Sequence, residues 1–470
     1  MLLICKQLSR ERKHFLLLLA SILAVYSAYL TRTYYWDGVL FSLNIESVHA
    51  GQAPVASLIH PNHLMYSVLG YAVYTVYTVC GLHLRAISVL QIFNVALSVI
   101  AAYVLYKIAL RLTNTSSVAL FCTLLFAFGA TWWKFSTDAD AYIVSVLFLL
   151  SAMWFLLRDP PLLLAVALCH SLAMLFHELA IFFYAPVILY VGFWKAVAYV
   201  AGTGAAVAAV YAICYPGGQQ SFFRWIASYA SDSGFTRSFG QLVTAYLASY
   251  PKLFVGGKLG FIRDYFSLPV ALALALALMM LVRTILLFRN NRPLEDIAGS
   301  KTFLVVWAWL LPSALFLASW DPASAFHKLF IWPPIVLLIG VYLRRYAPSL
   351  VPVAIAIAAW NFAAFIYPHS HTSTDPVLSL AQKIDRELPK NAIIYHQAFG
   401  PDDWYLKYFA PGRVWLQLPT QFEMPASPAE PVCFETTALQ TLHLPPHRFT
   451  LRWDLVSPQH NIRLDCIAHR

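Results

Sequence analysis

Charge is scarce in this chain. Only 11% of its 470 residues are Asp, Glu, Lys or Arg, against about 25% in ordinary soluble domains. Hydrophobic residues make up 60% and the mean hydropathy is +0.64. One water-soluble core cannot hide that much apolar surface, so the surplus faces lipid. Also missing are a Gly-rich phosphate loop, internal repeats and zinc-type Cys spacing, which argues against nucleotide-loop enzymes, solenoids and structural zinc modules. Acidic residues are especially few up to Pro368, 12 against 23 basic ones, whereas the remaining tail holds 10 and 9. The formal charge of +10 therefore lies beside membrane segments, where it records orientation, and a nucleic-acid partner is not expected. Ionisable groups are nearly absent from the span interiors, with His170 the exception. A transport pathway would place some near the midplane.

What is present in abundance is long apolar sequence. Runs such as 14–30, 271–288 and 302–319 approach the roughly 20 residues that cross about 30 Å of hydrocarbon. The first run follows Lys6, Arg10, Arg12 and Lys13 and lacks a clean small-x-small cleavage site before Arg32, so it reads as a retained anchor with a cytoplasmic N-terminus. Eleven spans are expected, near 14–31, 86–106, 117–133, 141–157, 162–177, 179–194, 196–215, 266–288, 302–319, 329–343 and 348–367. The Tyr-rich stretch 63–80 is read as a helix that lies at the interface without crossing. If it crossed, Lys107, Arg111, Arg158, Arg344 and Arg345 would fall outside. The long loop 216–265, with Arg224, Asp232, Arg237 and Arg263 among aromatics, reads as interfacial helices.

From His369 the composition becomes that of a soluble domain. Asp375-Pro376 is a helix start, with Asp as cap and Pro at the first helical position, ahead of a helix over 377–388. Strands are expected at 392–396, 414–418, 449–453 and 462–467, and a helix at 403–409. The fold class is thus an all-α polytopic membrane protein carrying a small α/β domain, with residues 1–368 transmembrane and 369–470 extracytoplasmic. The expected location is a plasma membrane, or the inner membrane of a Gram-negative cell. Cys433 and Cys466 share the tail and are candidates for a disulfide in an oxidising compartment.

In this topology the acidic residues crowd the outer face, and Asp37, the Asp138/Asp140 pair and Glu178 each sit at an outer helix end. The run Tyr34-Tyr35-Trp36-Asp37-Gly38 opens the first outer loop, ahead of an amphipathic stretch holding Glu46. His60-Pro61-Asn62-His63-Leu64-Met65-Tyr66 follows, then Thr137-Asp138-Ala139-Asp140-Ala141-Tyr142, Leu175-Phe176-His177-Glu178-Leu179 and Phe326-His327-Lys328-Leu329 ahead of Pro333. By the order and spacing of these runs the chain resembles the GT-C superfamily of membrane glycosyltransferases, in the branch holding protein O-mannosyltransferases and lipid A aminoarabinose transferases. The likeness covers roughly residues 14–345. His60 stands where the family has Lys, and His177-Glu178 stands where it has Lys-Gly, so position carries over there and role does not.

The resemblance implies an inverting transfer of a hexosyl or pentosyl unit from a polyprenyl-phosphate donor to a lipid, glycan or protein acceptor. Such chemistry needs a carboxylate to take the acceptor's proton and cations to stabilise the departing phosphate. Asp37, Asp138 and Asp140 are the candidate catalytic acids. Glu46, His60, His63, His177, Glu178, Arg263, His327 and Lys328 are the candidate substrate ligands, with Lys328 on the phosphate. Asp37, Asp138 and Asp140 can also hold a divalent cation through hard oxygens, so a metal is allowed for without being required. Each assignment has a plainer rival. Asp37, Asp138 and Asp140 can simply cap helices, and Lys328 can be a snorkelling anchor. The competing functions are a transporter or flippase of lipid-linked substrates and a non-enzymatic scaffold.

Overall fold

The computed structural model describes residues 2–217, 221–227, 239–290, 301–371, 376–396, 401–418, 432–435, 449–453 and 462–467. Asp232, Arg237 and Asp375 lie outside the described residues. The chain opens with α1 (Leu2–Ala28), α2 (Trp36–His49), α3 (Tyr66–Val79), α4 (Ala86–Thr113) and α5 (Ser116–Phe128). Then come α6 (Ala130–Ser136), α7 (Tyr142–Leu156), α8 (Leu163–Phe176), α9 (Tyr184–Tyr190) and α10 (Phe193–Cys214). Four short helices, α11 (Phe222–Ile226), α12 (Phe239–Ser249), α13 (Pro251–Phe254) and α14 (Leu259–Asp264), fill the long loop. The last apolar helices are α15 (Leu268–Asn290), α16 (Lys301–Trp320), α17 (Trp332–Tyr342) and α18 (Ala347–Asn361), which continues through a wider turn, 362–366, into α19 (Tyr367–His369).

Five helices are long and apolar enough to cross a membrane, or six where α5 and α6, which meet at a bend of 64°, are one span, and five shorter apolar helices accompany them among the described residues. These helices lie where the eleven spans were expected, but only five or six have the length to cross. Helix α3, fourteen residues long, is not among them. Apolar side chains of α10, α15 and α16 stay exposed, as with Ile213 at 83%, Leu278 at 65% and Leu315 at 71%, because lipid and not protein is their solvent. The fold is that of a polytopic, mainly helical membrane protein.

Helix α4 fixes a polarity within the bundle. Its first residue, Ala86, lies beside Glu46, and its last turns carry Lys107 and Arg111. The 25 steps from Ala86 to Arg111 span about 37 Å at 1.5 Å each. Helices α7 and α17 likewise run from the end that carries Asp37 to Arg158 and to Arg344-Arg345. The acidic outer motifs and the basic clusters therefore occupy opposite ends.

The bend between α5 and α6 has a steric cause. A Cβ on Gly129 would run into the Trp332 ring and the Leu253 carbonyl. Asn361 ties the break shut: its amide donates to the carbonyls of Phe128 (2.8 Å) and Phe254 (2.7 Å), and its oxygen accepts from the Gly256 N–H (3.0 Å).

At the C-terminal end, β1 (Ile393–His396), β2 (Val414–Gln417), β3 (Val432–Glu435), β4 (Phe449–Trp453) and β5 (Ile462–Ile467) form one sheet in the order β2-β1-β3-β5-β4. The first three are parallel and the rest antiparallel. Helices α20 (Pro376–Glu387) and α21 (Pro401–Phe409) pack on it through Ile384, Leu388, Leu406 and Ile394. Strand β3 was not expected; it directly follows Pro425, Pro428 and Pro431, a run that reads as loop. Cys433 is disulfide-bonded, and Cys466 faces it across the β3–β5 ladder.

Candidate functional site

Asp37 lies in the first turn of α2, but the helix is capped by no side chain. The capping role is thus not taken, and no described group donates a hydrogen bond to the carboxylate. Its neighbour is His63, whose Nε2 is 3.9 Å away. The start of α2 is pinned on the turn between α6 and α7: the Tyr35 N–H donates to Asp138 Oδ2 (2.8 Å), and a Cβ on Gly38 would overlap the Ala139 carbonyl. Only glycine permits that approach. Burial pushes the Asp37 pKa up to about 7.

The two acids of the Asp-x-Asp turn meet different fates. Asp138 is buried and satisfied by an ion pair with Lys134 and by the N–H groups of Tyr35 and Ala139. It braces the turn, and its oxygens are engaged within the protein. Asp140 is equally buried, but only Oδ1 is engaged, by the Tyr142 N–H (3.2 Å), and Oδ2 has no partner. Burial, then the charges of Asp37 and Asp138, raise its pKa well above the usual carboxylate range. The turn itself is held from α4, where Asn94 donates to the carbonyls of Asp138 and Asp140 and Gln91 to those of Thr31 and Thr137, each at 2.8 Å. Gln91 and Asn94 were not singled out. Two amides three residues apart within an apolar span were the available signal.

Four imidazoles form one chain of ring contacts beside Asp37. His63 lies 5.6 Å from His60 and 4.8 Å from His177, and His177 lies 6.2 Å from His327, ring centre to ring centre. Burial pushes His60 down to about 4, His63 to about 3 and His177 well below its ordinary value. At neutral pH they offer hydrogen bonds and not charge. His63 Nδ1 donates to the Phe176 carbonyl (3.3 Å), which leaves Nε2 as an acceptor facing Asp37. His177 Nδ1 accepts from the Leu179 N–H (3.1 Å) and so caps the turn that Glu178 opens. Burial pushes the Glu178 pKa up to about 7, and no described contact joins it to Asp37. His327 Nδ1 bonds Asp321 (2.8 Å), while its ring faces Trp320.

Tyr35, two residues before Asp37, lines a cavity of about 520 Å³ together with Lys134, Lys252, Lys258, Gly256, Gly257 and Phe326. The bend at Gly129 aims α6, and with it Lys134, at this space. Gly257 has φ +93°, and a Cβ there would strike the Ala364 carbonyl. The loop thereby brings bare backbone to the cavity. None of the three lysines was singled out from the sequence.

Three expected ligands do not join the site. Lys328 is fully buried: Nζ donates to the carbonyls of Pro322 (2.8 Å) and Ser324 (2.9 Å) and sits 4.8 Å from the Tyr246 ring centre. Desolvation pushes its pKa down to about 8. It clamps the loop before α17 and does not line the cavity. Glu46 pairs with Arg85 (2.9 Å), accepts the Ala86 N–H (2.8 Å) that opens α4 and accepts from Tyr408 Oη (2.7 Å), so its oxygens are committed. Arg263 points into solvent with its side chain 84% exposed and pairs with adjacent Asp264. Among the described residues no three His, Cys, Asp or Glu are grouped to hold a metal ion. With Asp138 committed to Lys134, the Asp-x-Asp pair does not fit one.

No protein-family model and no curated protein matches the chain. Among solved structures, ArnT from Cupriavidus metallidurans bound to undecaprenyl phosphate superposes with a TM-score of 0.61 at 11% identity, covering 96% of this chain and 98% of that one. The same protein in its apo state aligns with a TM-score of 0.48 at 12% identity, covering 97% and 98%. The first superposition shows that the chain has the fold of ArnT.

Proposed function

We propose that this chain, having the fold of ArnT, is an inverting membrane glycosyltransferase that takes a hexosyl or pentosyl unit from a polyprenyl-phosphate donor. The carrying observation is the juxtaposition at Tyr35: an uncommitted carboxylate with a pKa near neutrality two residues along, and a three-lysine cavity that Tyr35 itself lines. The donor phosphate sits in the lysine cavity, its lipid tail running out among the apolar helices. Asp37 takes the proton of the acceptor hydroxyl as the acceptor oxygen bonds the anomeric carbon. The bond from that carbon to the phosphate oxygen breaks, and its electron pair leaves on the phosphate, where lysine charge stabilises it. Base and leaving group on opposite sides give inversion. Asp140, buried deepest, keeps its proton and leaves Asp37 as the charged member of the pair. The buried neutral histidines orient hydroxyls of sugar and acceptor.

Residues 1–368 form the transmembrane catalytic part, and 369–470 a domain on the same, extracytoplasmic side as Asp37. The disulfide at Cys433 suits an oxidising compartment, and the basic clusters at the other end suit the cytoplasm. The acceptor is a lipid, glycan or protein hydroxyl or amine. No step calls for a metal. The test is to incubate the purified chain in lipid with an undecaprenyl-phosphate-linked sugar and an acceptor extract, with and without a chelator. Release of undecaprenyl phosphate that the chelator does not change is expected; no release from any such donor overturns the assignment.

A further inference from the structure

Helix α21 of the C-terminal domain touches the helix that carries Asp37 at both of its ends. Near the start of α2, Tyr405 Oη donates to the carbonyl of Tyr34, three residues before Asp37, and Phe409 stacks on the Tyr34 ring at 5.3 Å. Near the other end, Tyr408 Oη donates to Glu46 Oε1 (2.7 Å) and accepts from the Ile87 N–H (3.1 Å). The same residue is held by Arg85, whose Nη2 donates to the Tyr408 carbonyl (2.8 Å) and whose guanidinium lies 3.9 Å over the Tyr408 ring. Arg85 also bonds both oxygens of Glu46, at 2.9 and 3.0 Å. One nine-residue helix thus brackets α2 along its length and ties it to the start of α4. Tyr405 and Tyr408 are buried among Tyr34, Val39, Ile45 and Tyr66, so the contact is packed as well as hydrogen-bonded.

We infer that the C-terminal domain is a positioning clamp for α2, with Tyr405 and Tyr408 holding Asp37 in the desolvated place where its carboxylate acts as base. The carboxylate itself accepts no hydrogen bond from the described protein, so its position depends wholly on the helix beneath it. Among the described contacts at the start of that helix are Asp138 on the Tyr35 N–H, Ala139 under Gly38, Tyr405 on the Tyr34 carbonyl and Phe409 on the Tyr34 ring. The last two come from α21 of the C-terminal domain. No described residue of α21 lines the lysine cavity, so the clamp acts on α2 and not on the lysines. The inference rests on the glycosyltransferase reading for its catalytic part but not for its structural part.

The experiment uses the full chain in lipid with the double variant Tyr405→Phe/Tyr408→Phe, which keeps both rings and removes both hydroxyls. Two readouts are taken: kcat, KM and pH profile for undecaprenyl phosphate release, and hydrogen–deuterium exchange of the amides of residues 38–49. The expected result is a fall in kcat of about 10-fold with donor KM unchanged, and faster exchange over α2. The acid limb of the pH profile should also move to lower pH, because a loosened Asp37 regains water and its pKa falls back. Tyr405→Phe alone should reproduce the pH shift while leaving the Glu46 node intact, which guards against a misfolded double variant. Wild-type kcat or wild-type exchange in the double variant overturns the clamp. A wild-type chain that releases no lipid phosphate from any donor would sink the glycosyltransferase reading instead, and the exchange arm would still decide whether α21 holds α2.

Discussion

The two regions that meet at Tyr35 are built by opposite strategies. On the Asp37 side nearly every polar group is bound to another part of the protein: Asp138 to Lys134, His177 to a backbone amide, His327 to Asp321, Asn94 to two carbonyls. Among what remains uncommitted there are one oxygen of Asp140 and the Asp37 carboxylate, whose neighbour His63 stands 3.9 Å off. On the lysine side Lys252 and Lys258 make no described ion pair, and the cavity wall is glycine, aromatic rings and lysine. A base needs fixed geometry and a tuned pKa, whereas a phosphate cradle needs charge and room. Rigid satisfaction on one side and unsatisfied charge on the other is what that division of labour requires.

If the division holds, variants on the two sides must fail in different parameters. Asp37→Asn keeps the shape and removes the base, so kcat for lipid-phosphate release should fall about 100-fold or more with donor KM little changed. Loss of donor affinity instead would erase the distinction. Lys252→Met/Lys258→Met should do the reverse, raising donor KM by roughly 10-fold, in keeping with loss of charge-assisted contacts, with kcat falling less than in Asp37→Asn. Lys134 is a poorer probe, since its loss strands the buried Asp138.

A pH profile sharpens the comparison further. Burial raises the Asp37 pKa to about 7, and a base must be deprotonated to work. Rate should therefore climb as pH rises through about 7 and fall away below it, and Asp37→Asn should abolish that limb. A flat profile between pH 5.5 and 8.5, measured as initial rates at saturating donor, would remove Asp37 as base. The smallest expected effect is at Arg263. Because its side chain points into solvent beside Asp264, Arg263→Ala should leave kcat and KM within about 2-fold of wild type. A larger change would restore it as a substrate ligand.

The sequence carried the places of the apolar helices because a membrane allows few alternatives to a long apolar helix. It also set the fourteen-residue α3 apart from the long apolar helices. Asp37 drew notice for a related reason: an acid at the edge of lipid has few structural uses. The choice between Asp138 and Asp140 was not visible, because it turns on which carboxylate Lys134 reaches once α6 has bent at Gly129. Lys134 stands four residues before Asp138, a spacing that hinted at the pair. Lys252 and Lys258 gave no hint, being two lysines in a basic chain, and only the packing of their loop on 361–365 brings them to the site. Lys328 misled for the opposite reason. Its place at a span end suited a phosphate, yet two carbonyls and a tyrosine pair had already enclosed it.

Asn361 sets a clock on the protein's own synthesis. The amide that ties the carbonyl of Phe128 is 233 residues further along the chain, and at about 5–20 residues per second a ribosome needs roughly 10–50 s to make that stretch. During that interval the first half of the chain has its broken helix but not the group that closes it, so the lysine on α6 has no settled place beside its carboxylate. The helix carrying Asp37 is already in the membrane, while the wall opposite it is still being translated. A nascent chain therefore carries the helix of Asp37 long before it has the amide that closes the break opposite it.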